Sequence, residues 1–257
     1  SDHPALPMSP DELAADAEDI QRAGACLLHL HVRDDEGNHS LDAGRYREAI
    51  AAIRERVGDG LIIQITTEAV GRYAPAEQMQ VVREVRPEAS SCALRELCPD
   101  EASEPDYAAF LAECGETGVW VQHILYDDAD AARFGALRRR GVIAEPFPFV
   151  LLVLGHYGGG DTLLESLASR VAPFRHDPSL AWAVCAFGSV EHEAGLAAAK
   201  LGGHARLGFE NNLSGPGGAR ALSSAAQIER FTAALGQLGL EAAAASRVRA
   251  ALGSLAR

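Results

Sequence analysis

Lysine is nearly absent from this sequence of 257 residues, since only Lys200 among its 23 basic residues is a lysine. Schiff-base chemistry on a barrel strand needs a buried lysine, and Lys200 lies in a helix-like segment, so a lysine-dependent aldolase is disfavoured. Long apolar runs are also lacking. No stretch approaches the roughly 18 residues of a membrane span, and residues 1–20 show no signal-peptide pattern. We therefore expect no membrane partner.

Positive charge is in deficit, because 23 basic residues stand against 36 acidic ones and the net charge is −13. An acidic balance of this size disfavours nucleic acid as a partner. Cysteine is sparse as well. The five cysteines are an odd number without a C-x-x-C motif, which suits free, buried thiols in a reducing cytoplasm better than a disulfide framework.

Short apolar, β-branched segments alternate with amphipathic ones along the chain. Strand followed by helix at a spacing of about 30 residues is the βα repeat of a parallel sheet. The first predicted helix begins after Ser9, a good N-cap, with Pro10 at its first position. The predicted strands are 25–31, 61–67, 89–94, 119–126, 149–154, 181–187 and 205–210. The predicted helices that follow them are 43–56, 75–85, 105–113, 129–140, 162–171, 190–201, 223–238 and 241–255.

Seven strands are one fewer than a closed (β/α)8 barrel requires. The simplest completion is a first strand that lay before Ser1 and is missing from this chain. An open doubly wound sheet is the alternative, but the sequence has no Gly-x-Gly-x-x-Gly turn, and the glycine run 158–160 is more typical of a flexible turn. We therefore predict a single α/β domain spanning 1–257, a TIM barrel that lacks its first strand.

Two histidines alternate at the end of the first predicted strand, in the sequence LHLHVRD over residues 28–34. Side chains at positions i and i+2 of a strand point to the same face, so His29 and His31 project together. They do so at the carboxyl end of the strand, where barrel enzymes build their sites. Two imidazoles can bind one Zn²⁺ if a third protein ligand is near. The alternative is two polar residues bonded to the backbone.

A third ligand is available in the sequence HARLGFENN over residues 204–212. On the predicted last strand, Arg206, Gly208 and Glu210 share one face. An arginine and an acid on an inward face are costly without a purpose, although a purely structural ion pair is the alternative. A His₂Glu site beside an arginine predicts a substrate with a carboxylate or an oxyanion.

Polar residues end the strand predicted at 61–67. Gln64, Thr66 and Thr67 can donate hydrogen bonds to a substrate, although threonine is ordinary in strands. Glu68 follows them, as a possible base or as a solvated loop acid.

Later histidines raise an alternative site. His123 and His156 fall on the fourth and fifth predicted strands, as in metal-dependent amidohydrolases. That pattern also expects an Asp at the end of the last strand and often a metal-bridging lysine, and neither is found. Three further histidines are expected at the surface or in loops: His39, His176 and His192.

The sequence resembles the β-keto acid cleavage enzymes (3-keto-5-aminohexanoate cleavage enzyme-like), as a divergent member. The resemblance covers most of the chain up to about residue 212 and implies a (β/α)8 barrel, usually oligomeric, whose Zn²⁺ is held by His29, His31 and Glu210. It is carried by the segments 3–7, 24–25, 29–34, 40–42, 66–67, 89–90, 154–155 and 202–212.

The resemblance also implies the reaction, a retro-Claisen-type exchange in which a β-keto acid and acetyl-CoA give acetoacetate and a new acyl-CoA. Arg206 is then expected to stabilise oxyanion charge or to assist deprotonation, and Thr66 or Thr67 to hold the substrate. Two positions depart from the family pattern. Asn211 stands where relatives carry an Asp that orients or activates the arginine, and residues 121–124 contain no acid where relatives have one.

The resulting prediction is a cytoplasmic, zinc-dependent enzyme that assembles as a homodimer or homotetramer. Its predicted catalytic residues are Arg206, Asn211, Thr66 and Thr67. A zinc-dependent hydrolase or lyase on the same barrel is an alternative, and the two departures also allow a non-catalytic metal-binding barrel. Dependence on acetyl-CoA separates the first prediction from these alternatives.

Overall fold

Seven parallel strands form one curled sheet in the computed structural model, which describes residues 3–155 and 167–255. In chain order the strands are β1 (Leu27–Leu30), β2 (Val32–Arg33), β3 (His39–Ser40), β4 (Ile62–Thr66), β5 (Ala89–Ala93), β6 (Trp120–Leu125), β7 (Phe149–Leu154), β8 (Ala181–Ala186) and β9 (His204–Ala205). The large sheet has the order β1-β4-β5-β6-β7-β8-β9, while β2 and β3 form a separate antiparallel hairpin. This sheet confirms the predicted α/β class and agrees with a (β/α)8 barrel that lacks part of its first strand, because β1 and β9 are its two edges.

Helices connect the parallel strands, as the βα repeat predicted. In chain order they are α1 (Pro10–Arg22), α2 (Ala43–Val57), α3 (Pro75–Val85), α4 (Leu94–Leu97), α5 (Glu104–Thr117), α6 (Asp128–Arg139), α7 (Leu167–Val171), α8 (Glu191–Lys200), α9 (Ser224–Gln237) and α10 (Ala245–Leu255). Within the described residues, no helix is both long and apolar enough to cross a bilayer.

The start of α1 confirms the predicted cap. The Ser9 side chain accepts a hydrogen bond from the Glu12 amide, and the Glu12 carboxylate accepts one from the Ser9 amide, with Pro10 at the first helical position. This reciprocal pair satisfies two amides that the helix itself leaves without partners. The helix buries one face, formed by Ala14, Ala17 and Ile20.

Alternation along the strands separates the interior of the curled sheet from the layer under the helices. The interior cluster is apolar, and in it the rings of Trp120 and Phe149 stack with centroids 4.6 Å apart. Near one end, Ala245 of α10 packs against Ile62 and Ala89. The carboxyl ends of the strands are the end at which barrel enzymes carry their chemistry. The buried members of the interior cluster are Ala93, Ile124, Phe149, Leu151, Val153, Ala183 and Cys185.

The last strand is shorter than the sequence predicted, because β9 ends at Ala205 instead of continuing to residue 210. Gly208 has φ +139°, a conformation that favours glycine, and its carbonyl accepts a hydrogen bond from the Asn211 amide. The chain therefore turns at this point. The expectation that Arg206, Gly208 and Glu210 share one face of a strand was wrong.

Two local elements were not predicted, the β2–β3 hairpin and the short helix α4. The hairpin turn is held by Asp34, whose carboxylate accepts hydrogen bonds from the Glu36 and Asn38 amides, and by Gly37 with φ +82°. His156, the glycine run 158–160 and the first part of the helix expected at 162–171 lie outside the described residues.

Candidate active site

Two imidazole rings at the end of β1 lie edge to face, with centroids 5.0 Å apart. His29 belongs to β1 and His31 directly follows it, so the strand alternation turns both rings the same way. The Nε2 atom of His31 is 3.1 Å from the Nε2 atom of His29. These two nitrogens are therefore close enough to bind the same metal ion.

The turn after β9 adds a carboxylate to this pair. Oε2 of Glu210 lies 3.4 Å from Nε2 of His29 and 3.7 Å from Nε2 of His31. The three residues predicted as metal ligands thus converge, and their ligand atoms form a group that could hold a metal ion. Glu210 reaches the two histidines from a turn after β9, and not from the face of a longer last strand, as the sequence analysis expected.

A buried acid, Glu191 at the start of α8, anchors that turn. Its carboxylate accepts hydrogen bonds from the Gly208 amide at 2.9 Å and from Nδ2 of Asn212 at 3.3 Å. Burial raises the pKa of Glu191 to about 7, although both hydrogen bonds oppose this change. The residues two positions before and after Glu210 are therefore fixed. Sequence reasoning missed Glu191, because an acid in the first turn of a helix is ordinary.

The spacing of the three ligand atoms fits a tetrahedral ion. Bonds of about 2.0–2.2 Å place neighbouring ligands of a tetrahedral Zn²⁺ roughly 3.3–3.6 Å apart. The observed separations between the ligand atoms are 3.1, 3.4 and 3.7 Å, and their mean of 3.4 Å lies within that range. With two nitrogen donors, one oxygen donor and a fourth position for substrate, the donor set is one that Zn²⁺ accepts in catalytic sites.

Gln64 on β4 sets the tautomer of the first ligand. It is the register partner of His29, and its Oε1 lies 2.9 Å from Nδ1 of His29. The amide oxygen can only accept, so Nδ1 donates and Nε2 keeps the lone pair that a metal needs. Burial lowers the pKa of His29 to about 3, so this ring is neutral near pH 7. The orienting role of Gln64 was not predicted.

Arg206 lies directly beside the ligand set. Its Nη2 is 3.1 Å from Oε1 of Glu210 and 3.4 Å from Sγ of Cys185. Burial alone would raise the pKa of Glu210, but the charge of Arg206 and the contributions of His29 and His31 outweigh it and hold that pKa well below its usual range. Glu210 is therefore ionised, as a metal ligand must be. The ion pair between Arg206 and Glu210, which was the structural alternative, does form. It uses Oε1 of Glu210, while Oε2 faces the two histidines.

The two threonines at the end of β4 differ in position. Thr66 lines a pocket next to the ligand set, and its hydroxyl accepts a hydrogen bond from the Glu68 amide at 3.1 Å. Thr67 is fully buried, and its hydroxyl donates to the Ser91 carbonyl at 2.9 Å, so it supports the neighbouring strand. Asn211 is buried next to Glu210, in the wall of a larger cavity.

Two residues near His31 were misjudged or left open from the sequence. His39, expected at the surface or in a loop, lies on β3 and is 8% exposed, and its Nε2 donates to the Glu68 carbonyl at 3.1 Å. Burial lowers the pKa of His39 to about 4. Glu68 faces the site, with Oε2 3.9 Å from Nδ1 of His31. His31, His39 and Glu68 form a second group whose ligand atoms lie within 4.8 Å of one another. The β2–β3 hairpin, which folds His39 back, gives no periodic signal.

His123 lies on the opposite face of the sheet from the candidate site. Its Nδ1 accepts a hydrogen bond from the Tyr107 hydroxyl at 2.8 Å, and its Nε2 donates to Oε1 of Glu145 at 3.0 Å. The ring is fully buried and packs against Phe134 of α6, so it points toward the helices. His123 therefore does not join His29 and His31, as the amidohydrolase alternative required.

Two spaces border the ligand set and share part of their lining. A pocket of about 130 Å³ opens among the carboxyl ends of the strands, and its wall includes Thr66, Arg206 and Glu210. A larger cavity of about 1470 Å³ runs along the gap between β1 and β9 and also reaches His29 and Glu210. The smaller pocket is the better candidate for chemistry, because it lies at the carboxyl ends of the strands.

Known proteins similar to this chain support the same family and fold. The chain is 30% identical over 254 residues to 3-keto-5-aminohexanoate cleavage enzyme of Fusobacterium nucleatum subsp. nucleatum, a match that covers 96% of the chain and 90% of that relative. It is 26% identical to 3-oxoadipate:acetyl-CoA acetyltransferase of Cupriavidus necator, over 98% of the chain and 89% of the relative. The crystal structure of 3-dehydroquinate dehydratase from Geobacillus kaustophilus HTA426 superposes with a TM-score of 0.58, covering 89% of this chain and 88% of that one. At 15% identity this last likeness concerns the fold alone.

A model of a protein family establishes which family the chain belongs to. The model for beta-keto acid cleavage enzyme matches residues 1–253, nearly the whole chain. This match includes both halves of the candidate ligand set, at residues 29–31 and at residue 210. The chain belongs to the β-keto acid cleavage enzyme family, whose members break carbon–carbon bonds.

Proposed function

We propose that this chain cleaves a β-keto acid with acetyl-CoA in a Zn²⁺-dependent reaction that gives acetoacetate and a new acyl-CoA. The observation that carries the proposal is the convergence of His29, His31 and Glu210, with Arg206 beside them, in a member of this family. The name of the Cupriavidus necator relative includes acetyl-CoA as a co-substrate, which supports the same choice here. Zn²⁺ suits two neutral imidazoles and one carboxylate.

The products define which bonds change. The bond between C2 and C3 of the keto acid breaks, and the acyl group that begins at C3 moves to the sulfur of CoA. The remaining two carbons, which carry the carboxylate, bond to the acetyl group that leaves CoA. Negative charge develops on carbonyl oxygens during both changes, so the site must stabilise an oxyanion. A bound Zn²⁺ supplies Lewis-acid polarisation of the keto carbonyl.

The chain's own residues then have distinct tasks. Arg206 stabilises the developing oxyanion or the substrate carboxylate, for which its guanidinium has the matching fork of donors. Thr66 holds the substrate through its hydroxyl, which lines the pocket. Thr67 acts indirectly, by tying β4 to β5 through the Ser91 carbonyl. Asn211 can donate a hydrogen bond but cannot accept a proton as a base.

Assembly and location follow from the same proposal. We expect one domain over residues 1–257 that forms a homodimer or homotetramer, which light scattering of the purified chain measures. We expect it to work in the cytoplasm, since its five cysteines are all free thiols, a state that a reducing compartment preserves.

The test measures acetoacetate from a panel of β-keto acids, with and without added acetyl-CoA. We expect consumption of keto acid only when acetyl-CoA is present, together with one bound zinc per chain by elemental analysis. Consumption without acetyl-CoA would indicate a hydrolase or lyase. No consumption of any keto acid by the zinc-loaded chain would indicate a non-catalytic barrel. Either result contradicts the proposal.

A substitution at the carboxylate ligand tests the metal site. Because loss of a partner of a metal ligand already lowers affinity or activity 10–100-fold, Glu210→Gln should lower turnover by more than about 100-fold and release the zinc. Glu116→Gln, an exposed acid on α5, makes the same change of charge and should alter neither quantity. Stoichiometric zinc retained by Glu210→Gln would contradict the assigned ligand set.

A further inference from the structure

The His31 ring stands between two sets of donor atoms. Its Nε2 atom faces His29 and Glu210, the other two members of the proposed zinc site. Its Nδ1 atom lies on the other edge of the ring, 3.9 Å from Oε2 of Glu68. One nitrogen each of His31 and His39 and one carboxylate oxygen of Glu68 lie within 4.8 Å of one another. The two nitrogens of this ring therefore serve different groups of donors.

His39 brings a ring nitrogen that no described residue uses. The β2–β3 hairpin places the His39 ring against that of His31, with centroids 5.2 Å apart. Nε2 of His39 donates to the Glu68 carbonyl at 3.1 Å, so its Nδ1 atom keeps a lone pair. This Nδ1 atom is buried and has no hydrogen-bond partner in the described part of the chain. A buried acceptor without a partner costs free energy that a bound cation would recover.

The same preparation of a ring is found at the proposed zinc site. There Gln64 takes the N–H of Nδ1 of His29 and leaves Nε2 for the ion. For His39, the backbone carbonyl of Glu68 takes the N–H of Nε2 and leaves Nδ1. Histidines that bind metals almost always donate their second N–H to such an acceptor, which fixes the tautomer. His39 is therefore held in the form that a metal ligand needs.

Glu68 supplies the oxygen donor of this second set. Its amide donates to the Thr66 hydroxyl at 3.1 Å and its carbonyl accepts from His39, so its backbone is fixed on both sides. Among the described residues, no group donates a hydrogen bond to its carboxylate, which can bind an ion without breaking one. The larger cavity of about 1470 Å³ gives an ion a path to all three residues, His31, His39 and Glu68, because each of them lines it.

The donor types repeat those of the proposed zinc site, but their spacing is wider. Two imidazole nitrogens and one carboxylate oxygen suit Zn²⁺, Mn²⁺ or Co²⁺. The separation of 3.9 Å between His31 and Glu68 exceeds the roughly 3.3–3.6 Å between neighbouring ligands of a tetrahedral Zn²⁺. The groups must move closer together, and Nδ1 of His31 must lose its proton, before an ion is fully bound. An ion at this position is therefore held less tightly than one at His29, His31 and Glu210.

We propose that His31, His39 and Glu68 form a second, weaker site for a divalent cation, which shares the His31 ring with the zinc site. His31 binds one ion through Nε2 and the other through Nδ1, and the proton of Nδ1 passes to water when the second ion binds. The ring then carries a negative charge that offsets part of the added positive charge. This second site goes beyond the proposed function and depends on it only for the first ion.

Equilibrium dialysis against Zn²⁺ and, separately, against Mn²⁺ counts the ions bound to each chain. We expect one ion at low free metal and a second at concentrations at least about tenfold higher, because the second set has the wider spacing. Desalting should return the count to one. A titration in weak buffer should also detect a proton released with the second ion.

Matched variants then locate the second ion. His39→Phe keeps a ring against His31 but removes both nitrogens, so it should abolish the second binding step and keep the first. Glu68→Gln replaces a charged oxygen by a neutral group and should weaken the second step by at least about tenfold. His176→Phe and Glu116→Gln make the same two changes at exposed positions and should keep both steps. If His39→Phe does not fold, Glu68→Gln decides the question.

Several outcomes would overturn this assignment. One ion per chain at every metal concentration would do so, as would a second step that Glu68→Gln and His39→Phe bind as tightly as the wild type. A single step that both variants weaken would make His39 and Glu68 supports of His31, and that also rejects the second site. A chain that binds two ions as expected but cleaves no β-keto acid would refute the proposed function and leave the second site standing.

Discussion

Replacing Glu191 by glutamine should change how the stability of the protein depends on pH. The carboxylate of Glu191 is 2% exposed and holds the turn that carries Glu210, through the Gly208 amide and Nδ2 of Asn212. Burial raises its pKa to about 7 from the usual 4.5. Glutamine keeps the shape and one acceptor but cannot ionise, so it reproduces the neutral form at every pH.

The sign of the effect follows from proton binding. Between pH 4.5 and 7 the folded state keeps the Glu191 proton while the unfolded state has lost it, so the free energy of unfolding falls as pH rises through this window. Below the window both states are protonated and the full stability is present. At about 1.36 kcal/mol for each pH unit between the two pKa values, the loss from pH 5 to pH 8 is about 2.5 kcal/mol.

Urea unfolding followed by circular dichroism at several pH values measures this loss. The free energy of unfolding of the wild type should decrease relative to that of Glu191→Gln by about 2.5 kcal/mol between pH 5 and pH 8. Glu193→Gln, an exposed acid on the same helix, should give a curve parallel to the wild type. Parallel curves for wild type and Glu191→Gln would refute the reasoning, because they would mean that Glu191 titrates alike in both states.

Two further substitutions separate the metal site from the surrounding core. Gln64→Leu removes the acceptor for Nδ1 of His29 and should weaken zinc binding about 10–100-fold, measured by competition with a chelator, whereas retained affinity would contradict the orienting role. His123→Leu leaves the Tyr107 hydroxyl and the Glu145 carboxylate without their partner and should lower stability by roughly 2–5 kcal/mol with zinc content unchanged. Loss of zinc from His123→Leu would place that residue in the site after all.

The regular part of the fold could be predicted from the sequence because its signals are local. Helix α3 spans 75–85 and strand β7 spans 149–154, the bounds that the alternation of apolar and amphipathic segments predicted. Consecutive βα units also fix the order of strands in a parallel sheet, since crossovers are right-handed and neighbours in sequence pair. The first half of the site shared this advantage, because strict alternation placed His29 and His31 on one side of β1.

Residues brought in by irregular backbone could not be predicted in the same way. His39 reaches His31 because the β2–β3 hairpin folds back, and Glu68 follows the end of β4, where no period constrains the side chain. Thr67 illustrates the opposite case. Its neighbour Thr66 lines the pocket, so alternation alone would have placed Thr67 outside it.

The two halves of the ligand set are held by different means, and this decides where metal affinity can be altered without touching a ligand. His29 is fixed by the register of β1 with β4 and by Gln64, so only a change that disturbs the sheet or this amide moves it. Glu210 sits in a turn, and its position depends on Gly208 keeping φ +139° and on one buried acid, Glu191. A turn held by side-chain hydrogen bonds is less rigid than a sheet ladder. Substitutions around Glu210 should therefore tune metal binding gradually, whereas substitutions around His29 should affect folding as well.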